Sequence, residues 1–177
     1  EIPLRLVGSE MCIRDRLMGC GTILNEVREA AKILRNDYNI GADVWSVTSF
    51  NELRRNGLAV ERSNRLHPGD EPKQSYVEQC LSGRKGPVVA STDYMKLFAE
   101  QIRQWVPVKE YKVLGTDGYG RSDSRRKLRD FFEVDRRWVV LAALEALADR
   151  GEIERKVVAE AIVKFGIDPE KRNPLDC

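Results

Sequence analysis

The chain predicts an α/β fold of three layers, a mostly parallel sheet held between two layers of helices. Short apolar runs rich in β-branched residues alternate with longer segments of helical period. Every pair of successive runs is separated by chain that reads as helix, which calls for right-handed crossovers and hence parallel strands. Size agrees: 177 residues, 42% of them hydrophobic, form one domain that buries roughly 70% of its unfolded surface without metal or disulfide staples.

Residues 17–20 are a short apolar strand that turns at Gly21 into a helix over 22–38, capped by Thr22. Its inward residues are Ile23, Val27, Ala30, Leu34 and Tyr38, and Arg28, Glu29, Lys32 and Arg35 stay in water. Asn39 and Gly41 stop it. Residues 42–48 (ADVWSVT) form a second strand, and a polar helix follows over 50–62. After the proline-bearing loop 66–72, Pro72 opens a helix reaching Leu81, and SGRKG leads into a third strand over 87–90. Asp93 then starts a helix whose buried stripe is Met95, Phe98, Ile102 and Trp105, ended by Pro107. A fourth strand spans 111–115. Helices over 124–132, 135–150 and 153–165 complete the chain, the last two stopped by Gly151 and Gly166.

Residues 1–16 (EIPLRLVGSEMCIRDR) keep no period and resemble the translated read-through of a sequencing adapter. They lack the apolar stretch and cleavage site of a signal peptide. They are expected to be non-native and disordered, leaving residues 17–177 as the domain.

Charge excludes several functions. Thirty Lys and Arg against 28 Asp and Glu give a net +2, too little for a dedicated nucleic-acid binder. The longest uncharged apolar run, 138–144, is far short of the roughly 20 residues of a membrane span. Cys12, Cys20, Cys80 and Cys177 have neither metal-knuckle nor disulfide-scaffold spacing and read as free thiols in a reducing compartment.

Two stretches stand where ligands bind. GCGTIL (19–24) follows a strand and opens a helix, but Leu24 replaces the third glycine of a dinucleotide fingerprint, and Thr48 and Ser49 stand where a ribose-binding acid belongs. It reads as a tight turn. The loop GTDGYGRSDS follows the fourth strand at its carboxyl end, where open α/β sheets place ligands. Its Asp117, Gly118, Tyr119, Gly120, Arg121, Ser122 and Asp123 form a candidate anion-facing or partner-facing loop, with Asp123 or Ser124 capping the next helix. The basic run Arg125, Arg126, Lys127, Arg129, Arg136, Arg137 reads as a solvated face diluted by Asp123 and Asp130. His67, in the loop LHPGDEP beside Asp70 and Glu71, is a second candidate, although one histidine makes neither a two-histidine metal site nor a Cys/His pair by itself. No catalytic, cofactor-binding or metal-ligating residue is assigned from chemistry alone.

The stretches LMGCGTILNEVREAAKIL, DVWSVTSFNELRRNG, VVASTDYMKLFAEQIRQWVP, YKVLGTDGYGRSDSRRKLRDFFEVD and ALADRGEIERKVVAEAIVKFGID resemble a known family. It is the carboxyl-terminal domain of the homodimeric-type pyruvate-decarboxylating component of pyruvate dehydrogenase complexes, in the transketolase superfamily. The resemblance runs from Leu17 to Asn173 and implies a parent enzyme using thiamine diphosphate and Mg2+. That enzyme decarboxylates pyruvate oxidatively and passes the acetyl unit to a lipoyl group. The cofactor supplies the electron sink and the protein the positioning. It also implies a homodimer, a dihydrolipoamide acetyltransferase partner and a bacterial cytoplasmic setting, with no nucleic acid or membrane involved.

The superfamily's diphosphate and magnesium motif, Gly-Asp-Gly followed downstream by paired asparagines, is not matched. Thr116 precedes Asp117, and the next asparagine is Asn173. The resemblance thus implies a fragment that is structural and dimer-forming, binds no cofactor itself and is inactive alone. Family members open this domain with a further strand, so a four-stranded, incomplete mixed sheet with a bare, aggregation-prone edge is expected. Two other readings stay open: a stand-alone α/β binding or assembly module, and a component of a related 2-oxoacid dehydrogenase.

Overall fold

A computed structural model describes residues 14–83 and 85–176, and 14 through its backbone alone. Eleven regular elements follow one another: β1 (Arg14–Cys20), α1 (Leu24–Tyr38), β2 (Gly41–Val47), α2 (Phe50–Leu66), α3 (Tyr76–Leu81), β3 (Val88–Ser91), α4 (Lys96–Glu100), β4 (Tyr111–Leu114), α5 (Arg125–Phe131), α6 (Arg136–Asp149) and α7 (Arg155–Lys164). The strands form one sheet in the order β2-β1-β3-β4. All three neighbouring pairs are parallel, with Leu17 opposite Val44 and Val89. The described strands are thus uniformly parallel where a mixed sheet was expected. The upstream strand expected to be missing falls on residues 1–13, outside the described residues.

Alternation along the strands divides the core into two layers. Leu17, Val44 and Val89 face α1, α6 and α7 and pack with Val27, Leu34, Val139, Ala143 and Leu147. Met18, Val47, Val88 and Ala90 face the other way, against Phe50 of α2, Val77 and Leu81 of α3, and Ala99, Ile102 and Trp105. Helix α6 is buried along most of its length because it sits between α1, α7 and the sheet.

Helix boundaries follow their caps. The Asn39 backbone is left-handed, φ 55°, and the Ile40 N–H closes on the Leu34 carbonyl at 3.0 Å, ending α1 as expected. Thr22 does not cap α1. Residues Gly21–Ile23 form a 3-10 turn first, and the Thr22 hydroxyl is engaged elsewhere. The helix expected from Pro72 starts instead at Tyr76, where Ser75 and Glu78 form a reciprocal capping box.

The long helix expected over 93–105 is also corrected. Only Lys96–Glu100 is α-helical, followed by a 3-10 turn over Arg103–Trp105. Thr116 explains the late start: its hydroxyl donates to the Asp93 carbonyl at 2.7 Å and its N–H to the Tyr94 carbonyl at 2.9 Å. The chain before Lys96 is thereby tied to the connection after β4. Met95 is consequently 50% exposed, and the buried face is made by Ala99, Ile102 and Trp105.

Strand β1 begins at Arg14, so residues 14–16 belong to the sheet rather than to an excluded disordered segment. Backbone pairing explains this, since β2 and β3 offer ladder partners to any side chain placed between them. Arg16 extends beneath α3 and donates to the Leu81 carbonyl at 2.9 Å and to the Gly86 carbonyl. Asp15, on the opposite face, is fully buried with neither carboxylate oxygen hydrogen-bonded.

Buried Gly57 lets α2 lie directly on the Trp105 indole, whose N–H donates to Glu61 at 2.9 Å. A Cβ at Gly57 would overlap the ring. Gly57→Val is expected to destabilise the chain by about 1–3 kcal/mol through overpacking, read as a lower urea midpoint at unchanged slope. An unchanged midpoint would show that the indole moves aside freely.

Candidate functional site

In an open parallel sheet, ligands bind at the carboxyl ends of the strands where the chain's direction of growth reverses. Here that point lies between β1 and β3, because β2 was added on one side of β1 and β3 on the other. Three connections meet there. The Thr22 hydroxyl, after β1, donates to Asp93 Oδ2, after β3, at 2.6 Å. Thr116, after β4, holds the backbone of Asp93 and Tyr94. The Lys96 N–H donates to Asp117 Oδ1 at 2.9 Å, so this carboxylate is turned back into the fold.

The loop after β4 passes close to its neighbours at two glycines. A Cβ on Gly115 would stand 2.6 Å from the Lys96 nitrogen. Gly118, at φ 105°, presses on the Pro174 carbonyl. Beyond it the loop opens. Tyr119 is 79% exposed, and Arg121 lays its guanidinium 4.1 Å from the centre of the Phe131 ring. Asp123 accepts from its neighbour's N–H, Ser124, at 2.6 Å and lies 3.8 Å from Lys127. Neither Asp123 nor Ser124 makes the side-chain cap expected for α5.

A cavity of ≈ 590 Å³ opens here, lined by the polar Thr22, Asp93, Arg121, Arg125 and Arg129 and the apolar Leu128, Phe132 and Val134. A second, of ≈ 580 Å³, shares Arg125 and Arg129 and adds Arg126, Arg136, Arg137, Glu26 and Asp135. Of the candidate loop, Gly118, Gly120, Arg121 and Asp123 line the first cavity, whereas Asp117, Tyr119 and Ser122 do not. The basic run expected to be a plain solvated face supplies most of the second.

Glu26 ties α1 to α5 and α6 beside these cavities and was not singled out from the sequence. Its carboxylate accepts from Arg129 Nη1 at 2.9 Å, Arg136 Nε at 2.8 Å and the Arg136 N–H at 3.2 Å. Burial works to raise its pKa, but the hydrogen bonds from Arg136 and the charges of Arg136 and Arg129 outweigh it and hold the group below the usual range. The signal available was an acid at helical spacing among Ile23, Val27 and Ala30. Arg129 also donates to the Thr22 hydroxyl at 3.1 Å, joining this network to Asp93.

The other candidates lie apart. His67 is exposed at the carboxyl end of α2, its Nδ1 2.9 Å from the Ser63 carbonyl, and lines neither cavity. Asp70 and Glu71 are exposed. Cys20 and Cys80 are half-buried free thiols, and burial pushes the Cys20 thiol up despite a hydrogen bond with Thr92. Cys12 and Cys177 lie outside the described residues. Among the described residues, no three His, Cys, Asp or Glu side chains converge as metal ligands, and no helix is long and apolar enough to cross a membrane.

Three comparisons place the chain among known proteins. The family model for the transketolase-like TK C-terminal domain matches residues 9–135. The pyruvate dehydrogenase E1 component of Pseudomonas aeruginosa is 83% identical over 162 residues, which are 92% of this chain and 18% of that protein. The protein of the same name from Escherichia coli is 60% identical over 159 residues, 90% of this chain and 18% of that one. The Cupriavidus necator protein is 57% identical over 162 residues, again 92% and 18%. The chain therefore spans 18% of the length of these relatives. A solved structure titled "Split gene transketolase, inactive beta4 tetramer" superposes with a TM-score of 0.52 at 20% identity, covering 76% of this chain and 39% of that one, a likeness of fold. A parallel sheet between helical layers, similar in fold to a solved transketolase and matched by the family model across all four described strands, leaves one conclusion: the chain belongs to the transketolase C-terminal domain family.

Proposed function

We propose that the chain is the carboxyl-terminal domain of the thiamine-diphosphate-dependent first component of a pyruvate dehydrogenase complex. The parent enzyme decarboxylates pyruvate oxidatively and hands the acetyl group to a lipoyl group on a dihydrolipoamide acetyltransferase. The observation that carries this is the 83% identity over 162 residues to the Pseudomonas protein. The setting is bacterial cytoplasm, and the domain packs against the rest of its own chain and a second copy.

The role of the domain itself is structural. Thiamine diphosphate requires a magnesium-binding carboxylate aimed at its diphosphate, and the residues here do not fit. Asp117 accepts the Lys96 N–H, Thr116 stands before it, and Asn173 is the first asparagine after it. The chemistry at the keto carbon is assigned to other parts of the parent polypeptide.

A chimera tests the assignment. The Pseudomonas protein with its carboxyl-terminal domain replaced by residues 17–177 of this chain should support pyruvate-dependent NAD reduction in a reconstituted complex, where the protein truncated before that domain does not. A chimera that is dimeric and binds thiamine diphosphate, yet does not turn over, would overturn the proposal. Calorimetry of the chain alone with thiamine diphosphate and Mg2+ should give no binding heat, and micromolar binding would overturn the structural role.

A further inference from the structure

We propose that the paired cavities at the carboxyl end of the sheet form a binding site for a small phosphate-bearing organic molecule, independent of the decarboxylation chemistry. The first observation is position. The cavities open at the topological switch point of a parallel sheet, where Thr22, Asp93 and Thr116 bring three strand ends together. The second is size. Volumes of ≈ 590 and ≈ 580 Å³ sharing Arg125 and Arg129 fall in the range of small-molecule sites, about 300–1,000 Å³.

The third observation is unbalanced charge. Each acid at the site is already engaged. Glu26 is held between Arg129 and Arg136, and Asp135 caps α6 and pairs with Arg137 at 2.7 Å. Asp123 faces Lys127, while Asp93 takes only the neutral Thr22 hydroxyl and keeps its charge. Against these, the Arg125 and Arg126 side chains make no hydrogen bond or ion pair among the described residues, and the Arg121 side chain has only the Phe131 ring. Their guanidinium forks remain available for bidentate contacts to phosphoryl oxygens.

Arg129 contributes differently. Glu26 and Thr22 hold its guanidinium from two sides, so it enters the site pre-ordered and loses little side-chain freedom on binding. The lining also includes the apolar side chains Leu128, Phe132 and Val134. A ligand that joins phosphoryl groups to an organic body matches both kinds of lining residue. Inorganic anions match only the arginines.

The test is calorimetric titration of the 177-residue chain with inorganic pyrophosphate and with ADP. Binding should saturate at one molecule per chain, with ADP the tighter. Arg125→Gln/Arg126→Gln should weaken both ligands by roughly tenfold or more, since each lost charge-assisted hydrogen bond is substantial. Both arginines are exposed and unpaired, so the variant should melt at the unmodified temperature. Arg54→Gln/Arg62→Gln removes equal charge from the exposed face of α2 and should leave binding unchanged. The proposal is overturned if neither ligand saturates, if Arg125→Gln/Arg126→Gln binds as the original does, or if the α2 variant loses as much. An ADP affinity no higher than that of pyrophosphate would remove the organic body from the assignment.

Discussion

Asp15→Val should stabilise the folded chain by about 3 kcal/mol at neutral pH, because it removes a buried carboxylate that has no hydrogen-bonding partner. The residue sits in the central strand on the face shared with Leu17, so valine continues the apolar row that Leu17, Val44 and Val89 begin. Burial raises the Asp15 carboxyl well above the usual range, and Glu152 adds to this, while Arg150 and Arg16 oppose it. The sign of the pH effect follows. Between the ordinary aspartate pKa of about 3.9 and the raised folded value, the folded chain keeps a proton that the unfolded chain has released. Stability therefore falls as pH rises across that window, by up to about 1.4 kcal/mol per unit. Urea melts of both proteins at a series of pH values from mildly acidic to neutral should show their difference growing with pH. A variant that is less stable than the original, or a difference that does not change with pH, would contradict this account of Asp15.

Glu26→Gln is the converse case. The amide cannot neutralise Arg129 and Arg136, and its NH2 group faces donors where the carboxylate accepted. The loss should be roughly 2–3 kcal/mol, less than for a wholly buried pair because the Arg136 side chain is half exposed. A carboxyl held below its unfolded pKa contributes stability that is fully present above about pH 4.3 and lost as pH falls through the folded value. Original and variant should accordingly converge in strongly acidic solution, the reverse of the Asp15 pattern. Convergence at neutral pH instead would mean that the two arginines find other partners. The variant should also bind pyrophosphate more weakly, since Arg129 is no longer held at the cavity.

The arrangement of layers was legible because it rests on local signals. The β-branched runs became strands, and Val27, Ala30 and Leu34 turned inward as their spacing implied. Local signals failed where a distant partner decided the outcome. Helix α4 starts late because of Thr116, 23 positions from its Asp93 partner, and no periodicity within 93–105 records that tie. Glu26 meets Arg129 and Arg136 across 103 and 110 positions. Its role needed α1 and α6 to be packed side by side first. The position of the loop 117–123 at a strand's carboxyl end was legible, but not which of its side chains face the cavity. Gly118 at positive φ and the Asp117 contact to Lys96 settle that, and both depend on neighbours from other connections. Residues 14–16 show the reverse failure, since their lack of pattern hid the fact that backbone ladders accept nearly any side chain.

The strand order also has a consequence for how the molecule is made. Residues from Arg14 to Val47 can close a β-α-β unit early, because β1 and β2 lie near one another along the chain. The other ladder of β1 pairs Arg16 with Val88, so it waits until the segment through α2 and α3 has been synthesised. During that interval β1 presents an open edge bordered by Leu17 and Met18, a template for pairing with another nascent chain. The long separation of these partners also slows folding. An inner strand, paired on both sides in the finished domain, is thus open on one side while the chain is still on the ribosome.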